Sequence, residues 1–234
     1  MRRSVLLLCL FVMAGCAVTT PAPRQAAEQP ERRLSPTEAR AAAEQFVDVV
    51  EAVEPVAERE CRARTRGLDC DFRIAVDDRP GQPPNAFQTL DKSGRPILVF
   101  TLPLIADVRN GDELAFVMSH EAAHHIRGHL ARQKETATAV GLGTALIASV
   151  LGGDNAAVNQ AGNTGARVGA RIFSKDFELE ADSLGTVIAA RAGYDPVRGA
   201  AYFTRIPDPG NRFLGTHPPN AQRIDTVRRV AAGL

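Results

Sequence analysis

The segment ELAFVMSHEAAHHIRGHL, residues 113–130, carries four of the five histidines in the chain, and the other elements must be arranged around it. Asn110 and Glu113 offer capping side chains ahead of an apolar pattern, which predicts a long helix running to about Lys134. On that helix His120 and His124 are offset by about 40° and about 6 Å along the axis, so both imidazoles can reach one ion. Glu121 lies about 100° round from His120, on the flank of that face, where its carboxylate can reach a water beside the ion but not easily the ion itself. That is the position of a general base. His125 is expected to be exposed on the opposite face, and His129 to pack or hydrogen-bond at the helix end. A third histidine ligand at HExxHxxGxxH spacing is excluded, because Arg127 stands where the Gly should be and Leu130 where the His should be.

The third ligand must therefore come from elsewhere, and Glu178-Leu179-Glu180-Ala181-Asp182 is the best candidate. Glu178 and Asp182 share a helix face by the same spacing, and Ala181 permits close helix contact. Glu178 is expected to bind the metal and Asp182 to accept the N–H of His120, fixing its tautomer. Glu180 points elsewhere. Two imidazoles, one carboxylate and a water favour a single Zn2+ per chain.

Outward from this pair of segments the pattern is mainly helical. Ser35, Pro36 and Glu38 form a capping box that opens a helix running to about Glu60. Short β-rich runs at 72–76, 86–90 and 97–100 predict a small sheet beside the histidine helix, followed by a short helix at 102–108. Residues 137–151 are apolar and Gly-rich and 152–165 small and polar, which reads as a helical hairpin or a mobile flap, with a membrane-surface contact left open. A helix from about Lys175 to Ala192 holds Glu178, and a terminal helix starts near Asn220. The fold class expected is α+β, with one zincin-like domain over residues 35–234.

The first fifteen residues resemble a secretory leader, with Arg2 and Arg3 before an apolar run too short to span as a mature helix. Met13-Ala14-Gly15-Cys16 resembles a lipobox, so Cys16 is expected to carry a lipid and residues 16–34 to form a flexible tether. Ala17 after that Cys points to the periplasmic face of the outer membrane. In such an oxidising compartment Cys61 and Cys70 are expected to pair as a disulfide. A formal net charge of +1 gives no field that would favour nucleic acid.

Four pieces together resemble the gluzincin proteases that include the CAAX prenyl protease, HtpX, Oma-type, LoiP and BepA forms. They are Asn85-Ala86-Phe87, the helix leading into His120-Glu121-x-x-His124 with Gly128-His129, Glu178-x-x-x-Asp182, and Thr216-His217-Pro218 with Arg223. The resemblance covers roughly residues 85–223 and is nearest to the periplasmic lipoprotein forms. It implies zinc on His120, His124 and Glu178, catalysis by Glu121, and a loop carrying His217 folded over the site. His217 then either stabilises the oxyanion, plugs the fourth metal position at rest, or caps its loop before Pro218. Arg223 either assists the oxyanion or pairs with Asp182 or Glu180. The activity expected is metalloendopeptidase cleavage of unfolded or misassembled envelope proteins, with the peptide extended along residues 85–87. The rival reading is a chaperone or assembly factor for outer-membrane proteins, with their assembly machinery as partner, in which the zinc site is plugged.

Overall fold

A computed structural model describes residues 34–170, 174–208, 210 and 217–234. The leader, Cys16 and the tether up to residue 33, like Thr216, lie outside the described residues. Helix α1 (Pro36–Arg64) starts on the capping box of Ser35 and Glu38 and runs four residues beyond its expected end. Strands β1 (Arg73–Asp77), β2 (Ala86–Leu90) and β3 (Pro96–Thr101) follow. They form one mixed sheet in the order β1-β3-β2, with β1 parallel and β2 antiparallel to β3. Short helix α2 (Leu102–Asp107), capped by Thr101, leads to α3 (Gly111–Ile126), the histidine helix. The α+β class, mainly helical with a small sheet beside the histidine helix, is as expected.

Helix α3 forms the centre of the core. Leu114, Ala115, Phe116, Met118, Ala122 and Ala123 are completely buried, so the helix is covered on nearly every side. It packs against α1, β2 and the helices that follow. Its N-terminus is held twice: the Asn110 side chain accepts from the Glu113 N–H at 3.1 Å, and Glu113 Oε2 accepts from the Arg109 N–H at 2.8 Å. The buried Glu113 carboxylate also takes Arg205 Nη2–H at 2.8 Å, which ties the chain beyond residue 204 to the start of α3.

The predicted single helix to about Lys134 is in fact two. Gly128 adopts φ 67° and ψ 29°, in the left-handed region open to glycine, and α4 (His129–Val150) begins beyond it in a new direction. Only His120, His124 and His125 therefore lie on α3. Helix α4 packs along α5 (Asn155–Gly169), so residues 137–165 form the hairpin rather than a loop-like flap. The two helices meet through small residues: a Cβ on Gly165 would lie 2.1 Å from Thr144 Oγ1. The Thr144 hydroxyl lies within hydrogen-bond range of the Ala161 carbonyl on the other helix, at 2.9 Å. Leu142, Leu146, Ile147, Val150 and Leu151 are exposed along the outer part of α4. No helix of the described residues is long and apolar enough to cross a membrane.

Helix α6 (Ser174–Arg191) crosses α3 at its histidines. The contact is close because residue 185 has no side chain: a Cβ there would sit 3.0 Å from the His120 nitrogen and 3.1 Å from its Cα. Helix α7 (Pro196–Gly199), a 3-10 turn at Ala200–Thr204 and α8 (Asn220–Ala231) complete the described elements. A disulfide joins Cys61 at the end of α1 to Cys70, with Cα atoms 5.7 Å apart.

One side-chain expectation is overturned. His125 is buried rather than exposed, with its ring edge-on to Phe72 and its Nε2–H donated to the Asp69 carbonyl at 2.7 Å. The loop closed by the disulfide covers the face of α3 on which His125 stands.

Candidate metal centre

Three donor atoms from two helices converge on one point. His124 Nε2 lies 3.0 Å from His120 Nε2 and 3.3 Å from Glu178 Oε1, and His120 Nε2 lies 3.6 Å from Glu178 Oε2. Tetrahedral donors held about 2.0 to 2.1 Å from a central Zn2+ stand roughly 3.3 Å from one another. The observed separations bracket that value, so the three residues fit one small cation. Two ring nitrogens and a carboxylate oxygen that face one another in a largely buried place are also well satisfied by a cation between them. His120, His124 and Glu178 form the only such group of three among the described residues.

The wider electrostatics agree. Burial works against charge on His120, but its hydrogen bonds to Asp182 and Glu178 outweigh that and raise its pKa to about 9. Burial likewise opposes charge on Glu178, yet hydrogen bonds from His120, His124 and His217 hold it well below the usual carboxylate range. The pocket therefore stabilises a positive charge at the point where the donors meet.

Each ligand candidate is backed by a second layer. Asp182, fully buried, has Oδ1 3.0 Å from His120 Nδ1. Arg223 holds both oxygens of Asp182, with Nε to Oδ2 at 2.8 Å and Nη2 to Oδ1 at 2.7 Å, and its Nη1 lies 3.5 Å from Glu178 Oε2. The guanidinium sits 3.8 Å over the Phe203 ring. Of the two pairings open to Arg223 in the sequence, the structure makes the one with Asp182. Glu180 does point away from the cluster, toward His129 and Arg132. His129 is buried; burial and the neighbouring His124 push its pKa down to about 4, which keeps it neutral.

Glu121 is half-buried and lines a cleft of about 450 Å3 together with His120, His124 and Glu178. The walls of the cleft include Asn85 to Phe87 on one side and Phe116, Tyr202 and Phe203 on the other. A smaller cavity of about 250 Å3 continues past Glu121 and His124 toward Leu130 and Phe177. His217 stands between these two spaces, half exposed, with Nδ1 3.0 Å from Glu178 Oε2. Sequence reasoning passed over Asn220, whose side-chain amide donates to the Phe203 and Ile206 carbonyls at 2.8 and 3.2 Å. Its position directly after His217-Pro218-Pro219 is the signal that was there to read.

The chain is similar to known proteins over most of its described length. The model of peptidase family M48 matches residues 44–231. A putative beta-barrel assembly-enhancing protease of Vibrio cholerae is 33% identical over 142 residues, 55% of this chain and 29% of that protein. The mitochondrial metalloendopeptidase OMA1 of Saccharomyces cerevisiae is 29% identical over 170 residues, 68% of this chain and 46% of the yeast protein. The beta-barrel assembly-enhancing protease of Escherichia coli strain K12 is 31% identical over 135 residues, 52% of this chain and 28% of the relative. In each case the match spans less than half of the relative's own length.

Proposed function

The chain belongs to peptidase family M48, and from that premise we propose that it is a metalloprotease, a zinc endopeptidase acting on unfolded or misassembled proteins of a bacterial envelope. The observation that carries the reading is the convergence of His120, His124 and Glu178 beside Glu121 at the floor of an open cleft. His120, His124 and Glu178 hold the ion. Zinc, when bound there, supplies Lewis acidity that makes a nearby water more acidic and polarises the scissile carbonyl. Glu121 accepts the proton of that water as it attacks and returns it to the leaving amine. Asp182, itself fixed by Arg223, holds the His120 ring in the tautomer that leaves Nε2 free for the ion.

The second edge of β2 has no strand partner among the described residues, and Ala86 and Phe87 line the cleft. An extended peptide can add to that edge through backbone hydrogen bonds, which suits unfolded chains of varied sequence. Location on the periplasmic face of the outer membrane, through a lipid on Cys16, rests on the leader-like residues 1–16 and on relatives named for beta-barrel assembly.

The test is digestion of casein by purified protein of known zinc content beside Glu121→Gln. The variant should keep the fold and the zinc and lose at least a hundredfold in cleavage rate, and phenanthroline should abolish wild-type activity. A Glu121→Gln protein that digests casein normally sinks the assignment. One observation favours a second reading: His217 lies over Glu178 and so partly covers the site. If both proteins bind unfolded chains equally and neither cleaves them, the protein acts as a holding or assembly factor with a closed metal site.

A further inference from the structure

The second ligand candidate, His124, has its own supporting chain. His124 Nδ1 lies 2.8 Å from His129 Nδ1, and His129 Nε2 lies 3.2 Å from Glu180 Oε2. Glu180 is in turn held by Arg132, with Nη1 to Oε2 at 2.8 Å and Nη2 to Oε1 at 3.3 Å. The His129 ring stacks on Phe177 with centroids 4.5 Å apart and planes within 8°, and the Arg132 guanidinium lies 4.3 Å from the centre of the same ring. These contacts leave His129 one orientation, and it is 5% exposed.

We propose that His129 and Glu180 are positioning residues for the metal centre, forming a carboxylate–histidine–histidine chain that sets the tautomer and orientation of His124. The inference rests on His120, His124 and Glu178 being the metal ligands. With Nε2 of His124 turned to the ion, its proton must sit on Nδ1. Two ring nitrogens 2.8 Å apart can share only one hydrogen, so His129 Nδ1 accepts and its own proton lies on Nε2, facing the carboxylate of Glu180. The order of donation is thereby fixed along the whole chain: His124 to His129, His129 to Glu180. The two imidazole ligands are supported unequally. His120 meets the fully buried Asp182 directly, whereas His124 reaches the more exposed Glu180 through a second ring.

A merely space-filling His129 is separated from this role by substitution. His129→Phe keeps a ring to stack on Phe177 and removes the acceptor; His129→Asn places an amide oxygen near the former Nδ1. Zinc affinity, read by chelator competition, should fall about 10- to 100-fold in H129F, with the melting temperature of the metal-free protein little changed, and H129N should recover most of the loss. E180A should fall between wild type and H129F. In 15N-labelled wild type with zinc, His124 should carry its proton on Nδ1 and His129 on Nε2, a readout that stands even if H129F does not fold. Wild type that binds zinc while H129F binds it equally, or a proton found on His129 Nδ1, overturns the positioning role alone. Wild type that takes up no zinc overturns the metal reading, and this inference with it.

Discussion

Adding a side chain at residue 185 should weaken the metal centre without touching any ligand. Gly185 follows Glu178 by seven residues, two turns on and on nearly the same face of α6. It is the point at which α6 rests on the backbone of His120. A Cβ would lie 3.0 Å from the His120 nitrogen, 3.1 Å from its Cα and 3.3 Å from the Ser119 carbonyl carbon, all inside ordinary contact distance and all backbone that cannot rotate away. Gly185→Ala must push the helices apart by a few tenths of an ångström, and overpacking of this kind costs about 1–3 kcal/mol. Replacing a mid-helix glycine with alanine returns up to about 1 kcal/mol, so the net change should be small, from near zero to about 2 kcal/mol. Gly185→Val has a smaller helix gain and two further methyl groups, and should move α6 by on the order of 1 Å and destabilise by about 2–3 kcal/mol. Metal bonds tolerate only about 0.2 Å, so the valine variant should lose zinc affinity by more than tenfold while the alanine variant stays close to wild type. Chelator competition and melting of metal-free protein measure the two effects separately. A Gly185→Val protein with wild-type zinc affinity refutes the claim that this contact sets the distance from Glu178 to the histidines.

Two further outcomes follow from the packing. Cys61→Ser with Cys70→Ser opens a loop of nine residues' separation, which should cost about 2–3 kcal/mol by chain entropy and lower the melting temperature by roughly 5–10 °C; an unchanged melt shows that the bridge adds nothing. Arg223→Ala leaves the fully buried Asp182 without its bidentate partner and should destabilise metal-free protein by about 3–5 kcal/mol in urea titration. Arg223→Lys should recover little of this, because an ammonium cannot reproduce the fork, and a full recovery would contradict that geometry.

What the sequence could convey depended on range. The capping box at Ser35, the Asn110 cap and the four-residue spacings of His120 with His124 and of Glu178 with Asp182 are local patterns, and each element formed where its pattern lies. The break at Gly128 was hidden because residues on both sides of it suit a helix; only the left-handed backbone at one position separates α3 from α4. His125 was misjudged because its environment comes from Asp69, 56 residues earlier, and no periodicity within α3 reports on a loop that covers it. The link between His129 and Glu180 depends on the register of α6 against α4, and the parallel pairing of β1 with β3 on a connection that skips β2. Neither is written in any short stretch of residues.

The bend at Gly128 also divides the molecule mechanically. Without it, α3 and α4 would form one rod, and any load on the leucines near its far end, about 30 Å away along α4, would tilt the axis that carries His120 and His124. With it, such a load turns about a single residue outside that axis. The ring of His129, wedged between His124 and Glu180, still ties the start of the hairpin to the metal helix.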